Sequence, residues 1–373
     1  IFACTIFFRF LKSTINPLFF NTVDMLKISA YIQNLDNTMS KILCLSHKED
    51  VDGLSSAALI KAAFKVSSVI LVDYANFIKV LETVLNEMGD PQSAYNHIFL
   101  CDLGLSKKNE TVFVNIIKKI MSYGCKVTYI DHHDLGVETK SQLKEIGVKL
   151  IHSIDECTSV QIYYKYKKKL KPHAAFLAAA GAITDYLETK PKASTIVSKY
   201  DRQFLMLEAS ALSYMISSGQ HETEFLSAII EKLSDMKYPH DIEEGFDRAK
   251  KYAQKVSNSV KSIEDRISIG NHLAYLESNV ELSSSLIVNF VLGLSGKSVA
   301  LVYRFKADIN SYIISIRGSK ECMVHLGRAV NLISSDLGGS GGGHDRACGA
   351  VIPKERMKKF IEKLDAVISN NKN

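Results

Sequence analysis

The stretch Thr128-Tyr129-Ile130-Asp131-His132-His133-Asp134 decides how the rest of the chain is read. With Val127 before it, a run of apolar and β-branched residues leads straight into one carboxylate and two adjacent imidazoles, the pattern of a buried strand that ends in polar chemistry. Open α/β sheets bind ligands in the crevice beyond the carboxyl ends of their strands. Asp and His also serve as turn and cap residues there, so the meaning of the tripeptide depends on what the other strand ends carry.

Working outward, a short apolar run at 42–45 continues into Ser46-His47-Lys48-Glu49-Asp50-Val51-Asp52-Gly53. That spacing lets His47, Asp50 and Asp52 converge from one strand-to-helix turn, with Gly53 permitting a tight turn. The competing reading is a helix start capped by acids. A third strand, 97–101, ends in Asp102-Leu103-Gly104 and puts another acid at the same sheet edge. Asp185 lies in the apolar setting Ala179-Ala180-Gly181-Ala182-Ile183-Thr184, where an unpaired carboxylate is costly to bury and needs a cation or hydrogen bonds. Mixed carboxylate and imidazole ligands suit Mn²⁺ or a similar divalent ion such as Mg²⁺. The set is large enough for two ions, the arrangement that serves phosphoester hydrolysis.

The patterns between these motifs alternate. Strands are expected at 42–45, 66–74, 97–101, 126–130 and 148–152, with helices at 54–64, 77–88 and 110–121, which predicts an α/β fold with a five-stranded, mostly parallel sheet and flanking helices. Beyond His152 the strands stop, and helices are expected at 174–186, 194–217, 221–237 and 241–263. The last is charge-rich and reads as a connector to a smaller mixed α/β domain. There the strands are expected at 272–276, 298–305, 311–316 and 350–352, and the helices at 282–292, 324–337 and 354–368. The predicted domains are therefore a catalytic domain at 39–240, a connecting helix at 241–265 and a substrate-binding domain at 266–373. Residues 1–38, rich in Phe and Ile but broken by Arg9, Lys12, Asn16 and Pro17, are expected to be an appended extension and a poor signal peptide.

Bulk properties narrow the function classes. The chain has 373 residues, 46% hydrophobic and 23% charged, with a formal net charge of +6. That length suits two domains, and the modest charge permits a polyanionic partner without requiring one. Seven cysteines without a C-x-x-C pair argue for reduced thiols in a cytoplasm-like compartment, against a disulfide framework or a structural zinc site. No run of about 18 apolar residues is present to span a membrane.

In order and context, His47-x-x-Asp50-x-Asp52-Gly53, Asp102, Asp131-His132-His133 and Asp185 resemble the motifs of the DHH phosphoesterase superfamily. The stretch Gly338-Gly339-Ser340-Gly341-Gly342-Gly343-His344-Asp345-Arg346 resembles the glycine and histidine signature of the accompanying DHHA1 domain. The resemblance covers about residues 40–365. It implies that His47, Asp50 and Asp102 hold one metal and Asp52, Asp102, His132 and Asp185 the other, with Asp102 bridging. It also implies that His133 faces the scissile phosphate and that Asp131 supports the histidine pair. Arg317 matches a family position that contacts substrate phosphate. Its plain alternative is a surface arginine in a turn.

The glycine loop has a physical logic of its own. Successive glycines let backbone N–H groups approach an anion, and His344 and Arg346 add polar side chains beside Gly341, Gly342 and Gly343. A flexible linker has the same composition. The run 163–171 interleaves tyrosines and lysines as single-strand binding surfaces do, although a solvated helix end is the commoner use.

The implied activity is hydrolysis of single-stranded DNA or RNA to 5′-mononucleotides by a RecJ-like exonuclease of the archaeal type, with the strand between the two domains. The alternative is a nanoRNase-like oligoribonuclease or cyclic-dinucleotide phosphodiesterase acting on short substrates, which the chain's length also suits. Some relatives are replication scaffolds that have lost metal ligands. Here every ligand position is filled, though a replication or repair protein partner stays in view.

Overall fold

The computed structural model describes residues 41–90, 94–343 and 345–370. The expected extension 1–38 and His344 lie outside those residues. Strand β1 (Ile42–His47) forms because its residues alternate between two cores: Cys44 packs into one cluster of buried side chains, Leu43 and Leu45 into another. Strand β3 (His97–Cys101) repeats this, with Phe99 and Cys101 on the first side and Ile98 and Leu100 on the second. With β2 (Ser68–Val72), β4 (Lys126–Asp131) and β5 (Lys149–His152) they make one sheet in the order β2-β1-β3-β4-β5, parallel throughout.

Helix α1 (Val51–Phe64) follows β1, α2 (Phe77–Glu87) follows β2, α3 (Lys107–Ser122) follows β3 and α4 (Val137–Glu145) follows β4. The chain leaves β1 towards β2 on one side and later returns to add β3 on the other. The carboxyl ends of β1 and β3 therefore form a topological switch point, where the outgoing loops diverge and leave a crevice. His47 and Asp102 stand at those two ends.

The face that carries α1 is covered by α5 (Thr158–Tyr166), α6 (Ala174–Thr184), α7 (Pro191–Val197), α8 (Arg202–Gly219) and α9 (Thr223–Ser234). Helix α6 has six alanines and a glycine among its eleven residues and is buried from Ala174 to Ala182, since small side chains allow close packing against α1 and α5. Phe77, Leu81, Phe113, Ile117 and Leu143 of α2 to α4 close the opposite face.

Two helices depart from the sequence expectation. The α4 sequence is polar, with only Thr139 and Leu143 buried, so it shows no apolar period. Only the end of the short α5, in the run 163–171, is expected as helix; its start at Thr158 is not. The expected helix 194–217 is two helices, because Asp201 caps α8 by accepting from the Phe204 N–H at 2.8 Å.

The described residues divide into two compact units between Lys250 and Lys251, inside α10 (Gly245–Ile263). The second unit carries a six-stranded sheet of β6 (Ser268–Ile269), β7 (Leu273–Glu277), β8 (Val299–Lys306), β9 (Ser311–Gly318), β10 (Ser340–Gly343) and β11 (Ala347–Pro353). Its order is β10-β11-β9-β8-β7-β6, antiparallel except for β7 with β8. Helix α11 (Ser284–Ser295) packs on one face, and α12 (Leu326–Asp336) and α13 (Met357–Asn370) on the other.

The glycine run, expected as a loop, is instead the edge strand β10. Gly342 and Gly343 take φ of 151° and 137°, conformations that L side chains rarely adopt. A Cβ on Gly343 would meet the Cys348 backbone at 2.8 Å, so at this position the strand lies too close to β11 for a side chain. The six described cysteines are buried free thiols. Among the described residues, no helix is long and apolar enough to cross a membrane.

Candidate metal centre

His47, Asp102 and Asp131 are buried at 2%, 1% and 1% exposure, and they reach the same sheet edge because β1, β3 and β4 are adjacent and parallel. Asp102 takes a positive φ of 57° just after β3, while its N–H still donates to the Ile130 carbonyl at 3.0 Å. This turn brings the carboxylate back over the switch point. His132 Nε2 lies 3.3 Å from Asp102 Oδ1 and 3.5 Å from Asp185 Oδ2, and His133 Nδ1 lies 3.9 Å from Asp102 Oδ1. Asp185 follows directly on α6, its N–H donating to the Gly181 carbonyl.

Asp50 and Asp52 combine the two readings that their sequence left open. Asp50 caps α1, accepting from the Gly53 N–H at 2.8 Å, and its Oδ2 lies 3.5 Å from His47 Nε2. Asp52 is fully buried and accepts from the N–H groups of Thr158 and Ser159 at 2.7 and 2.9 Å and from the Ser159 hydroxyl at 2.5 Å. The start of α5 thus holds this carboxylate in place with backbone donors and the favourable end of the helix dipole. Gly181 on α6 leaves the room it needs, since a Cβ there would sit 2.7 Å from Asp52 Oδ1.

The Asp131–His133 pair is oriented within itself. Asp131 accepts from His133 Nδ1 at 2.9 Å, from the His133 N–H at 3.2 Å and from the Tyr129 hydroxyl at 3.3 Å. Burial pushes the Asp131 carboxyl up, yet its bond to His133 and the nearby imidazoles more than offset this and hold it below its ordinary value. Burial likewise pushes the His133 imidazole down, and Asp131 raises it further the other way, to above its ordinary value.

Asp102 and Asp185 behave oppositely. Burial first, then the Asp50 and Asp52 carboxylates, push Asp102 well above the ordinary carboxylate value. Burial, then Asp52, Asp50 and Asp102, do the same to Asp185. Among the described residues, no lysine or arginine pairs with any of these five acids. Asp102 Oδ2 and His47 Nδ1 are buried without any hydrogen-bond partner. Buried polar atoms are almost always satisfied, so this concentration of negative charge and orphaned donor atoms fits divalent cations. Two compact groups of ligand atoms stand out: Asp102 with His132 and His133, and Asp52 with Cys157 and Asp185.

Three participants were not read from the sequence. Tyr74, just past β2, stacks on His47 with ring centroids 4.0 Å apart and shares a hydrogen bond of 3.1 Å with His133 Nε2. Its position at the end of a strand in the same sheet was the available signal. Thr158 donates from its hydroxyl to Asp102 Oδ1 at 3.2 Å. Cys157 lies beside Asp52 and Asp185, and burial, then those two carboxylates, push its thiol well above its ordinary value.

In the second unit, Arg317 lies on β9 opposite Ala347, and Gly343 lies opposite Cys348. The register therefore gathers Gly341, Gly342, Gly343, Arg317 and Arg346 towards one end of that sheet. The Gly318 N–H donates to the Arg346 carbonyl at 2.9 Å, and the Arg346 side chain is about half exposed. Arg317 donates from Nη1 to the Ile316 carbonyl at 3.0 Å. It is part of a strand and not of a turn.

A parallel sheet with acids and imidazoles at its switch point, followed by a mixed sheet with a glycine edge strand, defines a two-domain phosphoesterase architecture. The family models agree: residues 41–187 match the DHH family, N-terminal domain, and residues 274–370 match the DHHA1 domain, together more than half of the chain. The chain belongs to the DHH/DHHA1 phosphoesterase superfamily.

Among curated proteins it is similar to the uncharacterized protein MJ0831 of Methanocaldococcus jannaschii, 26% identical over 125 residues, which are 31% of this chain and 26% of the relative. The chain thus matches about a quarter of that relative's length. Among solved structures, the pGpG-specific phosphodiesterase PggH from Vibrio cholerae superposes with a TM-score of 0.56 at 12% identity, covering 89% of this chain and 100% of that one. RecJ from Thermus thermophilus in complex with Mn²⁺ gives a TM-score of 0.58 at 14% identity, covering 92% and 54%. At these identities the likeness is one of fold.

Proposed function

We propose that the chain is a divalent-metal-dependent phosphodiesterase, a RecJ-like exonuclease that hydrolyses single-stranded DNA or RNA to 5′-mononucleotides. One observation carries this reading: five carboxylates and three imidazoles converge at the switch point, among the described residues without a paired lysine or arginine, and Asp102 Oδ2 and His47 Nδ1 are buried and unpartnered. His47, Asp50 and Asp102 would hold one ion and Asp52, Asp102, His132 and Asp185 a second. Divalent ions held there, Mn²⁺ or Mg²⁺, would supply positive charge at the phosphoryl oxygens and lower the pKa of water.

The chain's own residues do the positioning. Asp131 fixes the His133 ring through Nδ1 and favours its protonated form, so that Nε2 holds a proton for a phosphoryl oxygen that gains charge during the reaction. Tyr74 braces that ring and the His47 ring together. Arg317, Arg346, His344 and the backbone of Gly341, Gly342 and Gly343 would bind substrate phosphates. The test is hydrolysis, in Mn²⁺, of 5′-labelled and 3′-labelled single strands of DNA and RNA beside a dinucleotide. Mononucleotides released stepwise from one end of the longer strands are expected. Cleavage of the dinucleotide alone would replace the exonuclease by the short-substrate alternative.

A further inference from the structure

A second charged feature lies at the opposite, amino-terminal edge of the parallel sheet. His97 begins β3, Lys126 begins β4 and Lys149 begins β5, with His97 paired in register with Lys126 and Thr128 with Lys149. In parallel strands, register partners and residues two apart share a face. These side chains therefore stand together on the face that carries α1 and α5, where His97 Nε2 also bonds the Thr128 hydroxyl at 2.9 Å. Lys169, in the short 3-10 turn after α5, reaches the same place, its Nζ 4.1 Å from the centre of the Phe64 ring. Phe64 in turn sits against His97, Phe99 and Tyr166, and Lys149 lies 5.1 Å from the centre of the Tyr166 ring.

Three lysines are thus gathered around one imidazole and a set of aromatic rings. After burial, Lys149, Lys126 and Lys169 are what push the His97 imidazole down, to about 4. The imidazole therefore adds no negative or acidic partner to these lysines. Lys169 also belongs to a run whose other lysines, Lys165, Lys167, Lys168 and Lys171, are all exposed. Among the described residues, none of these seven forms an ion pair with a carboxylate. Against a net charge of only +6 for the whole chain, this is a marked local excess. Like charges held together repel unless an anion joins them.

We infer that Lys126, Lys149 and Lys169 form a second contact surface for the phosphate backbone of a single-stranded nucleic acid, separate from the acidic centre at the other end of the same strands. Phe99 and Tyr166 are buried, at 0% and 8% exposure, so the surface presents cations for phosphates while the rings hold the lysine side chains in place. The choice of nucleic acid as the polyanion rests on the proposed nuclease function. The five residue steps from Lys126 to Asp131 span about 17 Å. A dinucleotide at the acidic centre therefore does not reach this surface, and a long strand gains affinity from it.

The experiment uses the full chain in EDTA, so that binding is read without hydrolysis, with a fluorescent 30-nucleotide strand titrated over a salt series. The triple variant K126E/K149E/K169E is expected to lose at least tenfold in affinity, and the slope of log affinity against log salt to flatten by about 2. The charge-preserving K126R/K149R/K169R variant should bind as the parent does, which separates lost charge from lost folding. Dinucleotide hydrolysis in Mn²⁺ should stay within twofold in both. Unchanged affinity and slope in the reversal variant would overturn the inference. So would lysine-dependent binding to vesicles containing phosphatidylserine with no binding of the strand. If the strand binds through these lysines but no nucleic acid is hydrolysed, the nuclease reading fails and this surface stands.

Discussion

Asp102 is the residue on which the acidic centre turns. Its left-handed backbone, which Asp and Asn tolerate better than other side chains, aims a buried carboxylate at His132 and leaves Oδ2 with no partner. Asp102→Asn keeps the shape and that backbone while removing the charge. It is expected to lower Mn²⁺-dependent hydrolysis about a thousandfold and to raise the unfolding midpoint in EDTA by relieving repulsion from Asp50 and Asp52. Retained activity would remove Asp102 from the bridging role. Tyr74 permits a finer cut: Tyr74→Phe keeps the stack on His47 and loses only the bond to His133. A net hydrogen bond of about 1 kcal/mol corresponds to a fall in kcat of about fivefold with KM unchanged, and steady-state kinetics on a dinucleotide would read it. A change in KM alone would instead make Tyr74 a substrate contact.

At the level of elements, α5 and α6 matter as much as the strands, because they turn an acid in α1 into part of the centre. The start of α5 supplies three donors to Asp52, and the absence of a Cβ at Gly181 on α6 makes space for them. Gly181→Ala is therefore expected to destabilise the protein by about 1–3 kcal/mol and to weaken metal binding, although residue 181 offers no ligand atom. Calorimetric Mn²⁺ titration and thermal unfolding would check both, and unchanged metal affinity would show that Asp52 can move without consequence. In the second unit, β10 illustrates a strand that pattern reading misses. Four residues of which three are glycine have no side-chain alternation to display, and the strand is made by its close approach to β11 and α12.

For the molecule as a whole, pH and the proposed metal are expected to be coupled. Asp102 and Asp185 have carboxyls raised above the ordinary 3.8, so the folded state holds protons that the unfolded chain has released. Their contribution to stability falls as pH rises through and beyond that value. The raised His133 imidazole acts in the same direction, its contribution being lost as pH climbs past its folded value. The lowered Asp131 acts only below the ordinary range, where stability is lost as pH falls. Thermal unfolding in EDTA is thus expected to show a midpoint that declines from about pH 4 upwards, and Mn²⁺ should reverse the decline. A midpoint in EDTA that rises over the same range would contradict these electrostatics. Arg346 tests the division of labour between the two units. Arg346→Ala is expected to raise KM for a single strand about tenfold, the worth of one charge-assisted hydrogen bond, and to leave Mn²⁺ affinity unchanged. Equal loss of both would mean that the second unit serves the metal centre as well.

The sequence by itself determined the five strands of the parallel sheet, three of the four helices between them and the sites at which His47, Asp50, Asp52, Asp102, Asp131, His132, His133 and Asp185 fall, because two-residue and 3.6-residue periods and strand-end chemistry are local properties of a chain. What only the tertiary structure decided is who meets whom. The order β2-β1-β3-β4-β5 makes the ends of β1 and β3 neighbours, although their residues are 55 apart in the chain (Ser46 opposite Cys101). The docking of α5 against Asp52, the stack of Tyr74 on His47 and the gathering of Lys126, Lys149 and Lys169 at the far edge follow from packing between distant segments. No local pattern carries that information, since each of those contacts is created by burying apolar faces elsewhere.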